Sequence, residues 1–274
     1  MTTIAQISDL HFGRQSSAVL ESLLASLAQS SPDLVVISGD LTQRARVSEF
    51  AAARQFLDRI AAPKLVVPGN HDLPLYNLAA RLVRPLRHYD RYIEPLNQPA
   101  SFYNDGAVAV LGLNTSRRLA RKNGRLSLAQ IAGIKRLFAD VGPGAFKAVV
   151  THHPIAAAED AGLELAMRSG PALEALASAG VKLLMSGHHH VASSSERIEM
   201  TTRRSLLIVH AGTAISTRLR GGERNTYNLI RIEADRATVQ ILEAGGDGGF
   251  QTRKESRYAL ATGAGATATS SGSF

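Results

Sequence analysis

Hydrophobic residues in the first two-thirds of the chain fall into short β-branched runs that alternate with segments of helical period. The runs predict strands at residues 3–7, 34–38, 64–67, 107–113, 148–151 and 181–185. Between them, leucine or alanine recurs at helical spacing, which predicts helices at residues 19–29, 47–60 and 128–139. Ser127 is the predicted N-cap of the last helix. Strands alternating with helices are typical of βαβ units, so we expect a largely buried sheet.

The pattern changes after Gly187. Short apolar runs separated by polar turns predict an antiparallel meander at residues 197–200, 205–210, 227–232 and 237–242. From about residue 245 the chain is rich in Gly, Ser, Thr and Ala and has few bulky apolar residues. We therefore predict one domain over residues 1–245 and a flexible tail over residues 246–274.

Composition narrows the chemistry available to the chain. Its 274 residues include no cysteine, which excludes disulfides, thiolate metal ligands and a cysteine nucleophile. The 31 Lys and Arg outnumber the 23 Asp and Glu, and the net charge of +8 favours anionic ligands. The sequence shows no apolar run long enough to span a membrane and no secretory signal, so we expect no transmembrane segment and a cytoplasmic location.

Polar clusters follow five of the predicted strands, each at the carboxyl end of its strand. They contain seven candidate metal ligands: Asp9, His11, Asp40, Asn70, His152, His188 and His190. Because the carboxyl ends of strands in an open α/β sheet face a common crevice, we expect these side chains to meet. Such oxygen and nitrogen ligands suit Mn, Fe, Zn or Ni, and seven exceed the needs of one tetrahedral site. The sequence therefore predicts two metal ions sharing a carboxylate, a centre that can generate hydroxide and stabilise displacement at phosphorus.

The order and spacing of these residues resemble the motif set of the calcineurin-like metallophosphoesterase superfamily. The motifs are Asp9-x-His11, Gly39-Asp40, Gly69-Asn70-His71-Asp72, His152-x-Pro154 and Gly187-His188-x-His190. In length and in overall sequence pattern, the chain is most similar to the class III cyclic nucleotide phosphodiesterases. The resemblance implies a four-layer αββα sandwich, with two mixed β-sheets flanked by helices.

The resemblance also implies a role for each motif residue. The metal ligands would be Asp9, His11 and His190 for the first ion, Asn70, His152 and His188 for the second, and Asp40 for both. His71 would contact the substrate phosphate and protonate the leaving alkoxide, and Asp72 would orient His71. The two metal ions would be Mn, Fe or Zn. A homodimer is compatible with the resemblance, because some relatives form one.

Residues at the rim of the expected crevice are candidates for substrate contact. They are Asn114, Arg117, His189 and His210, of which the last could also approach the second metal ion. Basic residues cluster at 81–91, 117–125 and 218–224, where they could form either an anion-binding rim or an ordinary solvated surface. Aromatic residues make up only 5% of the chain and tryptophan is absent, so a nucleic-acid polymer is a poor fit.

We expect a dinuclear metal-dependent phosphodiesterase that acts on small diesters, such as cyclic nucleotides or glycerophosphodiesters, by attack of a metal-activated hydroxide on phosphorus. A phosphomonoesterase or a nuclease is the alternative enzyme, because superfamily members share the metal core. The third hypothesis is a non-catalytic interaction scaffold. None of the motif positions has lost its ligand residue, which weighs against the scaffold.

Overall fold

Strands and helices alternate along the part of the chain that the structure, a computed structural model, describes: residues 1–98, 101–119, 122–157, 164–199, 204–246 and 249–260. The strands are β1 (Thr2–Ile7), β2 (Leu34–Ile37), β3 (Lys64–Val66), β4 (Phe102–Asn104), β5 (Val108–Leu113), β6 (Phe146–Thr151), β7 (Leu183–His190), β8 (Ser193–Glu199), β9 (Arg204–Gly212), β10 (Thr226–Ile232), β11 (Arg236–Ala244) and β12 (Phe250–Ala259). The helices are α1 (Ser17–Ser30), α2 (Val47–Asp58), α3 (Leu78–Val83), α4 (Arg87–Tyr92), α5 (Leu128–Leu137) and α6 (Ser169–Ala179). Short 3₁₀ turns lie at Asn70–Asp72 and Glu94–Leu96.

The strands form two six-stranded mixed sheets. The first has the order β12-β11-β10-β1-β2-β3, in which β1, β2 and β3 run parallel. The second has the order β4-β5-β6-β7-β9-β8, in which β5, β6, β7 and β9 run parallel. In the first sheet Ile4 lies opposite Leu34 on one side and Ile230 on the other. The parallel strands bring their carboxyl ends to one edge of each sheet.

Apolar side chains of the strands are buried on both faces of each sheet. The layer between the sheets includes Ile4, Leu34, Val36, Val110, Val150, Met185, Val209 and Ile230. The outer face of the first sheet packs against α1 and α2 through Val35, Ile37, Leu23, Phe50 and Phe56. The outer face of the second packs against α5 and α6 through Leu111, Val149, Leu184, Ile134 and Leu176. Helices, sheet, sheet and helices therefore form four layers, and the predicted fold class is confirmed.

Helix α5 begins where the sequence predicts. Ser127 Oγ accepts a hydrogen bond from the Gln130 backbone N–H (3.1 Å), and Gln130 Oε1 accepts one from the Ser127 backbone N–H (3.0 Å). This reciprocal pair satisfies two backbone donors that have no partner within the helix.

Among the described residues, none of the helices has the length and hydropathy that a membrane span requires.

The prediction of a flexible tail from residue 246 is wrong for residues 250–259, because these residues form β12. This strand pairs with β11 along the edge of the first sheet. Its charged residues, such as Arg253, Lys254 and Glu255, are mostly exposed, which is typical of an edge strand that resists pairing with another chain. Because charged residues are so abundant here, the hydrophobic pattern of the sequence does not predict this strand. The domain therefore extends past the boundary predicted at residue 245. Residues 261–274 lie outside the described ranges, so a flexible tail there stays a prediction.

Candidate metal centre

The carboxyl ends of β1, β2, β3 and β6, together with the end of β7, meet at one edge of the sandwich. All seven predicted metal ligands lie there, namely Asp9, His11, Asp40, Asn70, His152, His188 and His190. Their side-chain atoms form two neighbouring groups of potential ligand atoms.

The first group consists of carboxylate oxygens and imidazole nitrogens, all 3% exposed or less: Asp9 Oδ1, His11 Nε2, Asp40 Oδ2 and His190 Nε2. His190 Nε2 lies 3.1 Å from Asp9 Oδ1 and 3.2 Å from His11 Nε2. His11 Nε2 lies 3.8 Å from an oxygen of each carboxylate. Four potential ligand atoms therefore surround one point within coordination reach.

The second group lies on the other side of Asp40. His152 Nε2 is 3.4 Å from Asp40 Oδ1, 3.2 Å from Asn70 Oδ1 and 3.3 Å from His188 Nδ1. His153 also belongs to this neighbourhood, because its ring nitrogens and those of His152 and His188 include atoms within 4.8 Å of one another. Asp40 directs Oδ2 towards the first group and Oδ1 towards the second, so one carboxylate lies between both.

The backbone at this edge adopts an unusual conformation. Five of the candidate ligands have φ in the left-handed region: Asp9 (51°), His11 (46°), Asp40 (51°), His188 (75°) and His190 (63°). Residues other than glycine rarely adopt this region, because each costs about 1–3 kcal/mol and persists only where the surrounding structure imposes it. Backbone strain is therefore concentrated where the ligand atoms converge.

Hydrogen bonds behind the ligands fix the orientation of the imidazole rings. His152 Nδ1 donates to the Ser38 carbonyl (2.8 Å), and His190 Nδ1 donates to the Arg218 carbonyl (3.2 Å). In the neutral form of each ring, Nε2 then carries the lone pair and points into the centre. Asp9 Oδ2 accepts hydrogen bonds from Ser8 Oγ (2.6 Å) and from the His188 backbone N–H (3.0 Å), which leaves Oδ1 facing the first group.

The geometry fits bound cations. Asp9 Oδ1 is buried and has no hydrogen-bond partner among the residues that the structure describes. His190 Nε2 faces both this oxygen and His11 Nε2, while the proton of its ring is committed to Nδ1. Lone pairs that converge at about 3 Å repel one another unless a positive charge lies between them. The residues present therefore fit a bound metal ion, whose positive charge would stabilise the converging lone pairs.

The charged groups of the centre shift one another's pKa values. Burial alone would raise the pKa of Asp9 and Asp40, but the neighbouring imidazoles His190 and His152 reverse the shift and hold both carboxyls below their usual range. Burial opposes the charged form of His152, yet Asp40 raises its pKa to about 9. Burial lowers the pKa of His11 to about 4. Without metal, the carboxylates are therefore ionised, His11 is neutral and His152 is protonated near neutral pH, so a metal ion bound to His152 would displace its proton.

His71 lies beside the first group, with its ring centroid 4.9 Å from that of His11. Its Nδ1 donates to the Gln43 carbonyl (2.8 Å), and its Nε2 lies 3.2 Å from a guanidinium nitrogen of Arg218. The backbone carbonyl of Gln43, not a carboxylate, therefore orients the ring.

The predicted role of Asp72 in orienting His71 is wrong. The Asp72 carboxylate instead accepts hydrogen bonds from the backbone N–H groups of Leu41, Thr42 and Gly69 and from Thr42 Oγ1, at 2.9–3.2 Å. These bonds hold the segment after Asp40 against the turn that carries Asn70. Burial and the charge of Asp40 raise the pKa of Asp72 to about 6.

The four predicted substrate contacts occupy different environments. The ring of His189 is half-buried and its centroid lies 5.1 Å from that of His188. The Arg117 guanidinium donates hydrogen bonds to Gln130 Oε1 and to the Ser116 carbonyl. Asn114 Oδ1 accepts a hydrogen bond from the Ser116 backbone N–H. His210 is buried, with Nδ1 2.6 Å from Ser186 Oγ, and belongs to neither group of ligand atoms found in the described ranges.

The comparisons with known proteins agree with this geometry. A model of the calcineurin-like phosphoesterases matches residues 2–192, a stretch that contains every candidate ligand. The chain belongs to the calcineurin-like phosphoesterase family. It is therefore a hydrolase of phosphoric esters, as the motif resemblance implied, and its family binds divalent metal ions.

Two relatives of this phosphoesterase align over about two-thirds of its length. It is 28% identical over 203 residues to a probable cyclic nucleotide phosphodiesterase of Synechococcus sp., covering 69% of this chain and 74% of that protein. It is 30% identical over 202 residues to the glycerophosphodiester phosphodiesterase GpdQ of Enterobacter lignolyticus, covering 68% and 70%. A dimetal phosphatase of Danio rerio shares the fold with a TM-score of 0.63 at 14% identity, covering 92% of this chain and 98% of that one.

We predict that Asp72→Asn destabilises the metal-free protein and lowers its metal content, whereas His71→Ala does neither. An amide cannot accept all four hydrogen bonds that the carboxylate accepts, and an unsatisfied buried donor costs about 1–3 kcal/mol. Thermal melting and metal analysis by mass spectrometry measure both effects. If the two variants had the same melting temperature and the same metal content, this structural role of Asp72 would be contradicted and the predicted orientation of His71 by Asp72 would be supported.

Proposed function

We propose that this phosphoesterase is a phosphodiesterase that binds two metal ions, Mn, Fe or Zn, and hydrolyses small phosphodiesters. Asp40 carries the proposal, because its two oxygens face two separate groups of ligand atoms. The first ion would be held by Asp9, His11, Asp40 and His190, and the second by Asp40, Asn70, His152 and His188. These nitrogen and oxygen ligands suit the three metals named.

The protein would hold the metal ligands in fixed, largely buried positions for this chemistry. When bound, the two ions would supply a water-derived nucleophile near neutral pH and would stabilise the charge on the attacking and leaving oxygens. The backbone carbonyls of Ser38 and Arg218 fix two ligand rings, and the Asp72 hydrogen bonds fix the loop of Asp40. Held in this way, the ligands need no reorganisation during the reaction.

His71 is placed to exchange a proton with the substrate. Its Nδ1 proton is committed to the Gln43 carbonyl, so Nε2 is the nitrogen that takes up and releases a proton. A charged imidazole would donate from Nε2 to the departing alkoxide and return to the neutral form with Nδ1 protonated. Proton donation of this kind contributes typically 10²–10⁴-fold to a rate.

A small diester is the substrate class that the observations support best. Two relatives that align over about two-thirds of this chain are named as a probable cyclic nucleotide phosphodiesterase and a glycerophosphodiester phosphodiesterase. The net charge of +8 suits an anion, and the shortage of aromatic residues leaves few stacking surfaces for a nucleic-acid strand.

The test compares a diester with a monoester. Protein stripped of metal and reloaded separately with Mn, Zn or Fe should hydrolyse bis-p-nitrophenyl phosphate in preference to p-nitrophenyl phosphate. Asp40→Ala and Asn70→Ala should lose more than about 100-fold, because losing even an outer partner of a metal ligand costs roughly 10–100-fold. Asp58→Ala, which removes an exposed carboxylate paired with Arg54, is the control. Preference for the monoester, or full activity in both site variants, would overturn the proposal.

We predict that His71→Ala slows hydrolysis according to the leaving group. An alkyl diester needs a proton on the departing alkoxide and should lose about 10²-fold or more in kcat, whereas p-nitrophenolate leaves unaided and should lose far less. His88→Ala, outside the centre, should leave both rates unchanged. Equal losses for both esters would rule out proton donation by His71.

A further inference from the structure

Arg218 joins two parts of the centre from the loop between β9 and β10. Its backbone N–H donates to Ser216 Oγ (3.0 Å), and its carbonyl accepts the Nδ1 proton of His190 (3.2 Å). Its guanidinium reaches back over the centre, where one nitrogen lies 3.2 Å from His71 Nε2. The main chain and the side chain of this residue therefore touch different groups of the centre.

The contact with His71 leaves most of the hydrogen-bonding capacity of the guanidinium unused. A guanidinium can only donate, so His71 Nε2 is the acceptor, in agreement with the Nδ1 proton on Gln43. Two other arginines of the same region are paired, Arg224 with Glu243 and Arg253 with Glu223. Within the described ranges Arg218 has no carboxylate within salt-bridge distance, so its charge is uncompensated beside the ligand atoms.

We infer that Arg218 is a phosphate-binding residue, whose guanidinium leaves His71 and donates to non-bridging oxygens of the substrate. This assignment rests on the proposed function. The planar fork of a guanidinium matches two oxygens of a phosphate, and a bond between charged partners is shorter and about twice as strong as one between neutral partners. The phosphate therefore outcompetes the imidazole as acceptor.

This exchange of partners links substrate binding to His71. While Arg218 donates to His71 Nε2, that nitrogen is occupied and cannot approach the leaving group. Transfer of the guanidinium to the phosphate frees Nε2 to take up a proton from water, which it can then donate to the leaving alkoxide. His71 is thus made available only when a phosphate group lies in the centre.

The test separates the side chain of Arg218 from its carbonyl. Every substitution at this position keeps the backbone oxygen that fixes His190, so Arg218→Ala and Arg218→Lys should retain wild-type zinc content and melting midpoint. In calorimetric titration of zinc-loaded protein with inorganic phosphate, Arg218→Ala should bind about tenfold or more weakly. Arg218→Lys keeps the positive charge but loses the planar guanidinium, so its phosphate affinity should lie between those of the wild type and Arg218→Ala. Arg224→Ala, with the same change of charge in the same loop, should stay within about twofold of wild type.

A second measurement follows the exchange itself. In the wild type, the ¹⁵N resonance of His71 Nε2 should shift on addition of phosphate, and Arg218→Ala should already show the shifted position without phosphate. Unchanged phosphate affinity in Arg218→Ala, loss of zinc from that variant, or no phosphate binding by the wild type would each overturn the assignment. Arg218-dependent phosphate binding by a protein that hydrolyses neither ester would refute the proposed function and leave the assignment of Arg218 standing.

Discussion

The buried carboxylate of Asp40 constrains most of the structure around it. It is 2% exposed, and a carboxylate taken out of water is unstable unless positive groups and hydrogen-bond donors surround it. Imidazoles lie on both sides, and the His71 backbone N–H donates to Oδ1 (2.8 Å). The chain also passes so close at Gly69 that a Cβ there would lie 2.0 Å from Oδ1, which only glycine avoids. The four hydrogen bonds to Asp72 hold this arrangement in place.

The centre depends on the spacing of the two sheets, because each sheet supplies part of it. Asp9, Asp40 and Asn70 follow strands of the first sheet, whereas the histidines after residue 150 belong to the second. Besides the apolar layer, a buried polar bridge joins the sheets: Gln6 Nε2 donates to the Ser186 carbonyl (3.0 Å). Asn228 Nδ2 in turn donates to Gln6 Oε1 (3.0 Å). The second bond lies within the first sheet and orients the Gln6 side chain, so the Gln6–Ser186 bond is a polar contact between the sheets that carry the two halves of the centre.

The sequence pattern was sufficient to predict the central strands and the convergence of the seven ligands, because buried parallel strands are strongly apolar and their polar ends stand out. It was insufficient for β12, whose charged residues resemble a tail, and for the role of Asp72, whose partners are backbone N–H groups. The carbonyls of Gln43 and Arg218 orient two imidazoles, and a carbonyl leaves no trace in the identity of a residue. His210 follows a predicted strand, but it lies within β9, where its ring contacts Ser186 of the neighbouring strand β7. Such contacts are determined by the tertiary fold.

Anomalous diffraction from crystals of the manganese-loaded protein tests the central claim most directly. If Asp40 is shared, two anomalous peaks about 3.5–4 Å apart should lie on either side of its carboxylate. One peak should contact His11 and His190, and the other should contact Asn70 and His152. A single fully occupied peak, or two peaks of which one does not touch Asp40, would contradict the account of a shared carboxylate.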